Sequence, residues 1–145
     1  MVSVAPAQAD DLRAILALLG TSGLPQDGLG DHIATALVAQ EDGRVVGSAA
    51  LELYGADALL RSVAVEAGLR GRGLGQRLTM EALGLARGSG VTTVYLLTET
   101  AADFFARFGF RPIPREEVAA AVQCSVEFTT ACPETAQAMV LTVCR

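Results

Sequence analysis

The sequence predicts an α/β (α+β) fold in a single domain: a mixed, mostly antiparallel sheet flanked by helices. Three observations carry this. Asp42-Gly43 lies between two apolar runs, Leu37 to Gln40 and Arg44 to Leu53, and Asp-Gly is a turn whose backbone twist suits a β-hairpin. The apolar run Leu59 to Val65 leads into the glycine-rich stretch Leu69-Arg70-Gly71-Arg72-Gly73-Leu74-Gly75, which opens a helical pattern with Leu74, Leu78, Ala82 and Leu85 near one face. A β-branched run, Val91 to Thr98, then precedes a short aromatic helix.

In chain order, Ser3 to Pro6 reads as a first strand and Asp10 to Leu19 as a helix capped by Asp10, with Leu12, Ile15, Leu16 and Leu19 inward. Gly20 to Gly30 reads as loop. The hairpin strands follow, then the Gly55-Ala56-Asp57 turn and the strand ending at Val65, the fourth of the chain. The helix after the glycine loop runs to about Arg87 and stops at Gly88-Ser89-Gly90. Ala101 to Phe108 is a helix closed by Gly109. Pro112 and Pro114 break the chain, Arg115 to Val122 restarts it as a helix with Glu116 and Glu117 as first-turn acids, and Ala138 to Val143 is a last strand, exposed and able to pair with a second copy.

A strand, a glycine turn with two arginines and a helix start form a site for a pyrophosphate. The glycines let the backbone approach, and the free N–H groups and dipole of the first helical turn favour negative charge. The spacing is Gly-x-Gly-x-Gly, so the dinucleotide fingerprint fails because its third glycine comes one residue later. The ATP-type loop fails because no lysine follows.

The 145 residues fit one domain, 1–145, able to bury roughly two thirds of its unfolded surface. Hydrophobic residues make up 51% and mean hydropathy is +0.40, yet no apolar run reaches the roughly 18 residues of a membrane span. A net charge of −5 and a pI near 4.8 argue against nucleic acid as the main partner. Arg61, Arg70, Arg72 and Arg77 nevertheless cluster, which suits an anionic small ligand. Met1 to Ala5 lacks the basic and apolar regions of a signal peptide. Cys124, Cys132 and Cys144, odd in number and without Cys-x-x-Cys spacing, suit a reducing cytoplasm.

These residues resemble the GCN5-related N-acetyltransferase (GNAT) superfamily. Its acyl-CoA signature, Arg/Gln-x-x-Gly-x-Gly/Ala after a strand, is similar to Arg70-Gly71-Arg72-Gly73-Leu74-Gly75 after Ser62-Val63-Ala64-Val65. Its aromatic helix ending in Gly-Phe is similar to Ala102-Asp103-Phe104-Phe105-Ala106-Arg107-Phe108-Gly109-Phe110. The resemblance covers about residues 3 to 143. More narrowly, Leu96-Leu97-Thr98 to Pro114-Arg115-Glu116 looks like acetyltransferases encoded beside arsenic-resistance genes, a subgroup similar to amino-acid N-acetyltransferases.

The resemblance implies acetyl-CoA as cosubstrate, no metal, a small-molecule amine acceptor, and a homodimer as in many members. It assigns the pyrophosphate to backbone groups of Arg70, Gly71, Arg72, Gly73, Leu74, Gly75 and Gln76. It assigns the pantetheine and acetyl group to the bulged strand at Val63 and Val65, and the packing of the cofactor arm to Thr98, Phe104 and Phe105. Phe105 stands where many members carry a tyrosine general acid, so that acid is absent.

Strand alternation puts Leu59, Arg61 and Val63 on one face, where Arg61 could clamp a substrate carboxylate. Glu52 and Tyr54 share a face of the neighbouring strand. Glu52 is the first candidate base, working through water, unless a Glu52–Arg61 pair only braces the sheet. His32 suits a surface or capping role, Leu24 to Ile33 could lid the acceptor site, and the cysteine spacings do not show an arsenic-binding thiolate site. A protein lysine or N-terminal acetyltransferase and a non-catalytic acyl-CoA sensor are the rival readings.

Overall fold

A computed structural model describes residues 2–143. Seven strands form one sheet: β1 (Val2–Pro6), β2 (Ala36–Glu41), β3 (Arg44–Tyr54), β4 (Asp57–Val65), β5 (Thr93–Thr98), β6 (Arg111–Ile113) and β7 (Gln137–Thr142), in the order β1-β2-β3-β4-β5-β7-β6. All neighbours are antiparallel except β4 and β5. The helices are α1 (Leu12–Thr21), α2 (Leu74–Gly88), α3 (Ala102–Ala106) and α4 (Ala120–Gln123).

The β2–β3 hairpin turns at Asp42 and Gly43, both left-handed at φ 53° and 78°, as a two-residue Asp-Gly turn requires. Leu37 and Ala39 of β2 pack with Leu78, Ala82 and Ala86 of α2 and with Phe105 of α3 on one face of the sheet. Ala36 and Val38 alternate to the other face, against Ile15, Leu18 and Leu19 of α1. Further along that second face, Val122 of α4 covers Leu59, Tyr95 and Val140. Among the described residues no helix is long and apolar enough to cross a membrane.

Several expectations are corrected. The Gln8 backbone N–H, not an Asp10 cap, finds an acceptor at the start of the first helix: it donates to Asp11 Oδ2 at 2.8 Å, and a 3-10 turn, Ala9–Asp11, precedes α1. Pro112 does not end regular structure. It sits inside β6, an edge strand, where a residue without an N–H is tolerated. β6 pairs with Ala138, Met139 and Val140 of β7, so the last strand is interior to the sheet and not the exposed edge expected. The predicted Arg115–Val122 helix is a 3-10 turn, Arg115–Glu117, then extended backbone at Val118 and Ala119, then α4. Residues expected as loop or boundary form a 3-10 segment, Leu29–Thr35. Cys144 lies outside the described residues.

Two irregularities in β4 prepare a site. Its pairing with β3 runs Ser48 to Ala64 and Ala50 to Arg61, so Ala49 faces both Ser62 and Val63. This is a β-bulge, and Ser62 takes the left-handed φ of 60° that an L-residue adopts only under constraint. The Ser48 hydroxyl holds it by donating to Ser62 O at 2.7 Å. The bulge overturns the expected alternation. Leu59 packs on the α4 side of the sheet, whereas Val63 and Val65 pack on the α2 side. The second irregularity is a splay: β4 and β5 pair only over Asp57–Leu59 and Thr93–Tyr95, then diverge.

Candidate active site

The splay opens a cleft of about 1180 Å³. Arg61, Ser62, Val63, Ala64 and Val65 form one wall; Leu97, Thr98, Phe104 and Phe105 form the other. At one end lies the glycine turn, with Arg70, Gly71, Gly73, Leu74, Gly75 and Gln76 on the wall, while Arg72 of the same turn is exposed. Gly71 and Gly73 have φ of 83° and 80°, which explains the glycines physically. Gly73 is the residue before α2, so the free N–H groups of that helix's first turn begin here. The Arg70 side chain ties the turn to the bulged strand, donating from Nε to Val65 O at 2.9 Å. A Cβ at Gly75 would lie 3.6 Å from both Phe104 Cζ and Val65 Cγ2, so the helix start, the aromatic helix and the bulged strand meet there. Thr98 Oγ1 accepts from the Ala101 N–H at 3.0 Å and shapes the entry to α3.

At the other end lies a buried ionic cluster. Arg61, with a fully buried side chain, donates from Nη1 to Glu52 Oε2 at 2.8 Å and from Nε to Ser62 Oγ at 3.0 Å. Its Nε is also 3.3 Å from Glu127 Oε2, and its Nη2 has a long contact of 3.5 Å to Pro25 O. Tyr54 donates to Glu52 Oε1 at 2.5 Å, and His32 Nε2 lies 3.7 Å from the same oxygen. Glu52 and Tyr54 thus stand behind Arg61, and neither is on the cleft wall, whereas Glu127 and Cys132 are.

The charge states divide the two carboxyls. Burial raises Glu52, but hydrogen bonds from Tyr54, Arg61 and Ser125 and the nearby His32 outweigh it, and the carboxyl ends below its ordinary value. Burial, then the Glu52 bond and charge, push the Tyr54 phenol to about 12. Burial also pushes Glu127 to about 7, Arg61 drawing it down, Glu52 driving it further up and the Cys132 thiol drawing it down by a hydrogen bond. Burial and the Glu127 charge push Cys132 to about 12.

The structure therefore brings together the loop residues other than Arg72, with Val63, Val65, Thr98, Phe104, Phe105 and Arg61, on one cleft. Leu24 and Pro25, from the segment expected as a lid, also reach it. Sequence reasoning missed Glu127 and Cys132. Their only local signal is a carboxylate set between Val126 and Phe128, an apolar setting unusual for a surface acid.

A bulged strand splaying from its parallel neighbour and feeding a glycine turn defines a class of acyl-CoA-binding folds. A family model for the acetyltransferase (GNAT) domain matches residues 32–112, and the chain belongs to this family. An uncharacterized N-acetyltransferase of Chlorobaculum tepidum is 34% identical over 87 residues, which are 59% of this chain and 56% of that protein. The chain thus spans about half the length of the curated relative it matches.

Among solved structures, N-acetylglutamate synthase from Neisseria gonorrhoeae, complexed with coenzyme A and N-acetyl-glutamate, is similar at a TM-score of 0.84 and 23% identity. That match covers 100% of this chain and 36% of the synthase chain. Rv2747 from Mycobacterium tuberculosis, in complex with CoA, is similar at 0.81 and 27% identity, covering 97% and 98%. A ribosomal-protein alanine N-acetyltransferase from Escherichia coli is similar at 0.77 and 17% identity, covering 100% and 96%.

Proposed function

We propose that this chain is an N-acetyltransferase that moves acetyl from acetyl-CoA directly to the amine of a small, carboxylate-bearing acceptor: an amino acid or an amino-acid-like compound. One observation carries the reading. A single cleft joins an anion-ready helix start to a buried ionic cluster, with the bulged strand between them.

The N–H groups of the glycine turn and of the start of α2 hold the pyrophosphate. The pantetheine arm follows Val65 and Val63 toward the cluster, with Phe104 and Thr98 on the facing wall. A backbone N–H of the bulge stabilises the oxyanion that forms when the amine attacks the thioester carbonyl. Holding both reactants in one cleft supplies much of the acceleration. The leaving thiol has a pKa of roughly 8–9, so a water can protonate the thiolate and Phe105 need not be a tyrosine.

The carboxylate in the acceptor rests on Arg61. Among the described residues its Nη2 makes one long contact, to Pro25, which leaves its second N–H for a substrate carboxylate on the cleft. The likeness to a synthase solved with N-acetyl-glutamate supports the same class. The arsenic-linked reading adds arsonic and phosphinic amino-acid analogues as candidates, and the cysteine usage supports a reducing, cytoplasmic setting.

The test is CoA release from acetyl-CoA with amino acids, their decarboxylated amines, those analogues, polyamines and a basic peptide. Turnover confined to carboxylate-bearing amines is expected. Turnover with the peptide alone would move the assignment to a protein acetyltransferase. CoA binding without any turnover would favour a sensor domain. Arg61→Lys should raise the acceptor KM about tenfold and the acetyl-CoA KM less than twofold; equal changes would sink the clamp.

A further inference from the structure

The reaction above needs one more group. At neutral pH the acceptor is an ammonium, which has no lone pair, so a proton must leave before attack. Resting on the N-acetyltransferase reading, we propose that Glu127 takes that proton, and that Arg61 positions Glu127 and the acceptor's carboxylate on adjacent edges of one guanidinium.

The placement of the candidates decides between them. Glu52 is the other carboxylate, but it is 1% exposed, lies off the cleft wall and has Tyr54 and Arg61 as hydrogen-bond partners. Those contacts favour its ionised form and so weaken it as a base. Tyr54 and His32 reach only Glu52 among the cluster's carboxylates. Cys132 lies on the wall, but burial and the Glu127 charge push its thiol up to about 12, so it is no base near neutrality. Glu127 is on the wall, 4% exposed, and its Oε2 faces Arg61 Nε.

The geometry suits an α-amino acid. Arg61 Nε faces Glu127 while Nη2 points toward the loop at Pro25. A carboxylate taken by Nη2 sets an amine on the adjacent carbon near the Nε edge, where Glu127 waits. With one arginine against two glutamates the cluster also carries a net negative charge when both are ionised, which draws in an ammonium. Arg61 from β4, Glu52 from β3 behind it and Cys132 from the same turn as Glu127 are the charged and titratable groups around that carboxyl, and Arg115 acts on the Cys132 thiol.

The step balances as follows. The ammonium gives one proton to the Glu127 carboxylate and becomes a neutral amine. Its nitrogen lone pair forms the C–N bond at the acetyl carbonyl while the carbonyl electrons move onto oxygen. Collapse of that oxyanion breaks the C–S bond, the thiolate leaves with the electron pair, and a second N–H proton passes through water to sulfur. Glu127 then returns its proton to solvent, so one proton is released per amide formed.

The experiment compares Glu127→Gln, Glu127→Asp and Cys132→Ala with the unaltered protein, using the best acceptor from the panel. Glu127→Gln should lower kcat/KM about 100-fold or more, with the CoA Kd within twofold. The acid limb of the kcat/KM profile should rise through about pH 7 in the unaltered protein and vanish in Glu127→Gln. Cys132 draws the Glu127 carboxyl down, so in Cys132→Ala the limb should move to higher pH. A Glu127→Gln enzyme with kcat/KM within threefold and the same limb would overturn the assignment while leaving acetyl transfer intact. Should that variant not fold, an unmoved limb in both Cys132→Ala and Glu127→Asp would overturn it instead. An unaltered protein that releases no CoA with any amine removes the reading on which the proposal rests, a result distinct from either.

Discussion

Phe104 and Phe105 are chain neighbours with separate roles. Phe105 is 7% exposed and meets the Phe104 and Phe110 rings edge-on at 5.0 and 5.9 Å, inside the core under α2. Phe104 is half-buried and reaches the first turn of α2 beside the cleft. Phe105→Ala should therefore cost about 3–5 kcal/mol in urea unfolding, the range for removing a buried ring. Phe104→Ala should cost less stability and instead raise the CoA Kd several-fold in a titration. A loss of stability for Phe104→Ala as large as that for Phe105→Ala would mean that both are core. Gly73→Val makes a parallel case: at φ 80° a β-branched residue costs about 1–2 kcal/mol, and the strain falls on the N–H groups proposed above to hold the pyrophosphate. At this scale the loop was legible because its residues are contiguous and two of its glycines, Gly71 and Gly73, take left-handed φ values. Glu127 was not, because its partner Arg61 is far off in sequence and the two meet only through the fold.

Between residue and molecule, elements meet with little tolerance. A Cβ at Gly47 of β3 would lie 2.9 Å from Leu78 Cδ1, 3.2 Å from Ala39 Cβ and 3.3 Å from Ala64 O. The absent side chain lets α2 settle onto the sheet opposite the bulge. Gly47→Val should cost about 1–3 kcal/mol by overpacking, and because it pushes on α2 it should also weaken CoA binding. Unchanged CoA affinity in a measurably destabilised variant would show that the helix start does not depend on that contact. The hairpin, α2 and β5 were legible because their signals are local: an Asp-Gly turn, an apolar stripe, a β-branched run. Two elements misled for equally physical reasons. Pro112 reads as a breaker, yet an edge strand tolerates a missing donor. The β4 bulge inserts one residue into a period of two, and alternation cannot reveal a slip that β3 imposes from across the ladder.

The whole molecule adds the two buried carboxyls to its unfolding equilibrium with opposite signs. Glu52 has a folded pKa below its unfolded value of 4.5, so its contribution is present above that pH and is lost as pH falls through the folded pKa. Glu127 runs the other way. With a folded pKa of about 7 against 4.5 unfolded, the native state holds more protons than the unfolded chain between those values. Stability from this group is therefore present below about pH 4.5 and is lost as pH rises through about 7. Glutamine at 127 cannot titrate, so the unfolding free energy of the unaltered protein minus that of Glu127→Gln removes the contribution of groups not coupled to Glu127. That difference should fall by about 1 to 3 kcal/mol between pH 4.5 and pH 8, the order expected for a shift of this size. Urea unfolding of both proteins at the two pH values measures it. A difference that stays flat would show that the cluster keeps Glu127 ionised throughout, with Arg61 outweighing burial, and it would then be a counter-ion rather than a carboxyl set to accept a proton near neutrality. A falling difference would mean that the fold gives up stability at neutral pH to keep a carboxylate in the cleft, a cost that a purely structural glutamate would have no reason to impose.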